Sequence, residues 1–131
     1  MNWINVNGPN GGTPRDADKI SAFTYQCCDI LGLNNYPYDI NIIVYPTYIH
    51  GHPDVWGLCY ELDEGEINIH LARKIPVDVS TDEWVKSDLY LTLAHELMHA
   101  RQTAKGEKMY ERPVRKNEEF ICELVKERLL W

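Results

Sequence analysis

The pentapeptide His95-Glu96-Leu97-Met98-His99 stands inside a helical pattern. Trp84, Val85, Leu89, Leu93, Leu97 and Ala100 recur with the α-helical period. The pattern predicts a long helix that begins near Glu83, is capped by Ser80 or Thr81, and ends at Gly106. A helix apolar over most of its circumference lies at the centre of its domain. Two imidazoles and a carboxylate placed there must be desolvated at high cost unless something compensates them. The rest of the chain therefore has to fold around one helix whose polar turn needs a partner.

The spacing says what that partner is. Histidines four residues apart lie one turn apart on the same helix face. Both can aim a ring nitrogen at one ion about 2 Å away, and neutral imidazole suits zinc. Glu96 follows the first histidine, so its carboxylate stands beside the ion, where it can take a proton from a zinc-bound water. Without a metal, the same residues read as two partly buried, hydrogen-bonded histidines. A catalytic zinc takes three protein ligands, and the third must come from elsewhere in the chain.

The rest of the sequence is compatible with one domain of 131 residues. Hydrophobic residues at 44% and charged residues at 25% argue for a globular chain rather than a disordered one. The net charge of −7 disfavours nucleic-acid binding, which needs clustered Lys and Arg. No long apolar run predicts a membrane span, and the first residues show no secretory signal, so a cytoplasmic setting is expected. Cys27, Cys28, Cys59 and Cys122 fit neither a zinc knuckle nor a redox pair, and are expected as reduced side chains filling apolar space.

Residues 1–12, rich in Asn and Gly, are expected as a loop or a loosely held edge. Thr13-Pro14 opens a predicted helix over 14–31 that stops at Gly32. Strands are predicted at 40–45, 55–62 and 66–71, with Asp63-Glu64-Gly65 as a hairpin turn. In the last strand Ile67, Ile69 and Leu71 alternate with Glu66, Asn68 and His70, so one face is buried and one open. His50-Gly51-His52 reads as a solvated loop. Glu107 to Arg112 is a polar connection. A final helix over 113–130 carries Phe120, Ile121, Leu124, Val125 and Leu129 on its apolar side.

On that final helix stands Asn117-Glu118-Glu119-Phe120-Ile121-Cys122-Glu123. Together with His95-Glu96-Leu97-Met98-His99 it resembles the gluzincin metallopeptidases, the thermolysin-like branch of the zincins. The resemblance covers about Leu91 to Leu124. That branch places a helical Glu roughly twenty residues after the second His, then a small residue and an acid three and four positions later. Glu119, Cys122 and Glu123 match these positions. The resemblance implies zinc, one per chain, on His95, His99 and Glu119, with Glu96 as catalytic base. It implies that Glu123 hydrogen-bonds the outer nitrogen of His95. Glu118 also faces inward on periodicity and is the rival ligand. Gln102 and Lys105 stand where the metzincin pattern needs Gly and a third His, so that branch is excluded.

The implied fold is α+β and zincin-like. A small three- or four-stranded mixed sheet would pack on an N-terminal helix and the central helix, followed by the ligand helix. The implied activity is hydrolysis of peptide bonds in a peptide or protein substrate lying along the 66–71 strand. Tyr110 is the preferred oxyanion donor among Tyr110, Arg112, His70 and Arg101. Two alternatives stay open: a zinc-containing regulatory or binding module with little turnover, and a hydrolase of non-peptide amides.

Overall fold

The computed structural model describes residues 3–63, 65–78 and 83–131. The first helix, α1, runs Ala17–Leu31 and buries Ile20, Phe23, Cys27, Cys28 and Leu31. It starts later than Thr13-Pro14 suggests. Asp16 occupies the cap position, but its carboxylate makes no capping bond. It is instead held by Arg73 through two contacts of 2.5 and 3.0 Å. Gly32 ends the helix in the left-handed conformation at φ 75°, and its N–H reaches the carbonyls of Asp29 and Cys28.

Four strands form one mixed sheet. They are β1 (Ile4–Asn7), β2 (Asp39–Tyr45), β3 (Gly57–Asp63) and β4 (Glu66–Ala72), in the order β1-β2-β4-β3. The first three in that order run parallel, and β3 is antiparallel to β4. The N-terminal segment is thus an edge strand rather than a loop. Register places Ile40 beside Ile67, Ile42 beside Ile69 and Val44 beside Leu71. These six side chains point to one face and are buried against α1 and the central helix. On the opposite face Asn5, Asn41 and Asn68 join in a side-chain ladder of 3.0 and 3.1 Å. A slip of one residue would bury the asparagines and expose the isoleucines, so the alternating pattern fixes the register. Gly65 turns the β3–β4 hairpin at φ 92°, while Glu64 lies outside the described residues.

The order of strands corrects one expectation. Strand β4, predicted to offer an open edge to substrate, is paired along its whole length, with β2 on one side and β3 on the other. Its alternation reported an open face, not an open edge. The edge strands are β1 and β3.

Residues expected to begin the central helix do something else. Lys74–Asp78 (β5) and Glu83–Lys86 (β6) form a two-stranded antiparallel ribbon, with Trp84 and Val85 exposed on it. Ser80 and Thr81 lie outside the described residues. Ser87 pins the end of the ribbon, donating from Oγ to the carbonyl of Ala72 at 2.6 Å. Asp88 then caps the central helix, α2 (Leu89–Ala104), by accepting from the N–H of Leu91 at 3.1 Å. The last helix, α3, spans Glu111–Arg128 and buries Val114, Cys122 and Val125. Pro113 sits in its first turn, where a missing N–H costs no helical bond. Phe120, expected on the buried side, is 67% exposed because the buried stripe runs through 114, 122 and 125. All four cysteines are free, and Cys27, Cys28 and Cys122 belong to the core between the helices and the sheet. No helix among the described residues is long and apolar enough to cross a membrane.

Candidate functional site

The two imidazoles of α2 lie where their spacing puts them, with ring centroids 4.8 Å apart. His99 is buried, and His95 is partly so. His95, Glu96 and His99 bring one ligand atom each within 4.8 Å of one another, a group that could hold a metal ion.

The ring nitrogens divide into an outer and an inner pair. The outer nitrogens are both engaged. Nδ1 of His95 meets Oε2 of Glu118 at 2.5 Å. Nδ1 of His99 meets Oε1 of Gln102 at 2.9 Å. A carboxylate or amide oxygen only accepts, so each Nδ1 carries the proton. In a neutral ring the inner nitrogen, Nε2, then carries a lone pair. Both Nε2 atoms turn toward one carboxylate, that of Glu111. Oε1 lies 2.8 Å from His99 Nε2, and Oε2 lies 3.3 Å from His95 Nε2. Lone pairs facing carboxylate oxygens repel unless a cation stands between them. Two protons would make two imidazolium rings in contact. A single dication serves both nitrogens and the carboxylate at once. The donor set could therefore hold a metal ion, with the outer partners fixing each tautomer.

Glu96 is buried beside this group. Its Oε1 is 3.8 Å from His95 Nε2, and its Oε2 is buried with no hydrogen-bond partner. Burial pushes its carboxyl up to about 7, against the pull of the two neighbouring imidazoles. Glu111 goes the other way. Desolvation opposes its ionisation, but the hydrogen bond from Arg115 and, when they are protonated, the two imidazoles hold it below the ordinary carboxylate value. Strand β3 comes close to Glu96 because residue 57 is glycine. A Cβ there would lie 2.8 Å from Thr92 Cγ2 and 3.0 Å from Glu96 Cγ.

His95 and Glu96 open onto a cleft of about 490 Å³. Its walls are Asp54 to Gly57, leading into β3, then Asp88, Leu91 and Thr92 from the start of α2, and Glu111, Arg115 and Glu118 from α3. These last three, spaced by four and three residues, form one stripe of the helix.

Glu119 lies on another stripe. It lines a smaller hollow with Asp88, Leu91, Cys122, Glu123 and Lys126. Among the described residues, the α3 carboxylates that reach the imidazoles are those of Glu111 and Glu118. Glu123 is exposed and sits 3.9 Å from Lys126. The position expected of Glu123, at the outer nitrogen of His95, is filled by Glu118, the rival for the third ligand. The physical reason is rotation: consecutive helical residues point about 100° apart, so the stripe at 111, 115 and 118 faces the imidazoles, while 119 and 123 face the cap and first turn of α2.

Tyr110 contributes its backbone. Its N–H donates to Gln102 Oε1 and its carbonyl accepts from Gln102 Nε2, both at 3.1 Å, while the side chain is exposed. His70 stands on the other face of the sheet, between the hydroxyls of Tyr45 and Tyr60 at 2.8 Å each. The cation in the cleft wall is Arg115. Glu111 was not expected at the site because 107–112 read as a connection, and Arg115, inside the predicted final helix, was given no role. The one available signal was an acid two residues before Pro113, which suits a first helical turn. His50 and His52 are exposed in a loop turned by Gly51 at φ 84°.

Comparison with protein-family models, with curated proteins and with solved structures finds no match for this chain.

Proposed function

We propose that the protein is a zinc metallopeptidase of zincin type in which His95, His99 and Glu111 hold the metal and Glu96 is the catalytic base. One observation carries the reading. Both Nε2 atoms converge on one carboxylate while both Nδ1 atoms are held from outside. The expected gluzincin ligand, Glu119, gives way here to a carboxylate that arrives earlier in the chain and from the first turn of the same helix.

When bound, zinc would polarise a peptide carbonyl and lower the pKa of water. Glu96 is built for the proton. A carboxylate with a value near 7 takes a proton at neutral pH and gives it up again. Its carboxylate, with Oε1 3.8 Å from His95 Nε2, would accept the proton of that water and deliver it to the leaving amine. Arg115, at the cleft wall, is the side chain of the right charge to meet developing negative charge on the substrate oxygen. An extended peptide would add to the free edge of β3, where backbone groups can pair with it beside Gly57.

Zinc content and cleavage of a mixed peptide library, with and without chelator, test this. Expected are one zinc per chain, cleavage lost with chelator, and cleavage lost in Glu96→Gln with zinc retained. Zinc bound equally by both forms with no cleavage by either would favour the binding module instead. Failure to bind zinc at all would sink both.

A further inference from the structure

We infer that Gln102 is a positioning residue that locks the tautomer of His99 and, through the same amide, places Glu111. The geometry leaves its side chain one orientation. Tyr110 N–H donates to Oε1 and the Tyr110 carbonyl accepts from Nε2, each at 3.1 Å. With Oε1 so placed, it faces His99 Nδ1 at 2.9 Å and can only accept there. The backbone at Tyr110 thus dictates which nitrogen of His99 carries the proton, and Nε2 is left with its lone pair. Gln102 is buried and is three residues beyond His99 on α2, so the contact lies on one helix face.

The second half of the clamp works along the chain. Tyr110 caps α3, and Glu111 is the first residue of that helix. Fixing both polar groups of residue 110 fixes where the next side chain leaves the backbone. Glu111 is more than half exposed, and within α3 it has only the contact from Arg115 Nε at 3.3 Å to orient it. The amide of Gln102 therefore joins the two ligand-bearing segments. The glutamine that stands where the metzincin pattern needs Gly has a use of its own.

The tautomer half stands without any metal; the zinc half rests on the function proposed above. Both are read by Gln102→Met, which removes every polar atom, and Gln102→Glu, which keeps the acceptors but loses the donor to the Tyr110 carbonyl. Long-range ¹H–¹⁵N correlation of the metal-free protein, above the imidazole titration range, reads the His99 tautomer. Competition with a chromophoric chelator reads zinc affinity. Wild type is expected to carry the proton on Nδ1, and Gln102→Glu to keep it there. In Gln102→Met the His99 signature should shift toward Nε2–H and zinc affinity should fall roughly ten- to a hundredfold. A Met variant with the wild-type His99 signature and affinity within twofold of wild type would overturn the inference. If the Met variant does not fold, an Nε2–H signature in Gln102→Glu overturns it equally. Wild type that binds no zinc yet holds Nδ1–H would remove the metal reading and leave the tautomer lock supported.

Discussion

Substituting Glu96 by Gln should stabilise the metal-free protein, and only at neutral to alkaline pH. Burial raises the Glu96 carboxyl from the ordinary 4.5 to about 7. That rise corresponds to about 3 kcal/mol lost by the folded state when the group is ionised. The sign follows from proton binding. The folded state holds this proton more tightly than the unfolded chain, so wild type keeps full stability below the ordinary value. It loses stability as pH rises through about 7. A buried glutamine amide lacks a partner at the same position, which costs about 1 kcal/mol. The net gain for Glu96→Gln is therefore about 2 kcal/mol at pH near 8, and about zero at pH near 5. Urea unfolding in the presence of chelator, at both pH values, measures it. Saturating zinc should narrow the gap at pH near 8, because a neighbouring cation favours the carboxylate. A variant no more stable than wild type at pH near 8, or a difference independent of pH, would refute the reasoning.

Three further outcomes are expected. Glu111→Gln should lower zinc affinity by at least roughly tenfold, while Glu119→Gln leaves it within about threefold, as read by chelator competition; the reverse ranking would restore the stripe at 119. Gly57→Ala should cost about 1–3 kcal/mol in urea unfolding, because its Cβ meets Thr92 and Glu96 at 2.8 and 3.0 Å. Asp16→Asn should cost about 1–2 kcal/mol near neutral pH by loss of the charged pair with Arg73. The hydrogen bond from Arg73 holds Asp16 below its ordinary 3.8. Its contribution is present above that value and fades as pH falls through the depressed one, so acid titration of both proteins should converge.

Much of the scaffold was legible because its signals are local. The α1 stripe, the Gly32 stop, the three predicted strands and the pentapeptide each depend on neighbours within a turn or on alternation along one strand. Where reading failed, a distant group had decided. The first helix opens at Ala17 rather than at Thr13-Pro14, and Asp16 at its cap position is held by Arg73, 57 residues away. The helix expected from Glu83 became a strand because Lys74–Asp78 offers a pairing edge and Ser87 and Asp88 set the start of α2. Strand β4 could be recognised as half-buried, but not as central, since pairing on two sides is a property of the sheet.

The candidate site divides in the same way. His95 and His99 face one point because helical spacing alone puts them there, with Glu96 one position away beside them, and that much the sequence determined by itself. Which carboxylates meet them was decided only by the tertiary structure. Glu118 and Glu119 differ by one residue and hence by about 100° around the helix axis. Periodicity cannot choose between them without knowing how α3 is turned. That turn is set at its first residues, where Gln102 of α2 grips the backbone of Tyr110 and brings Glu111 to the two inner nitrogens.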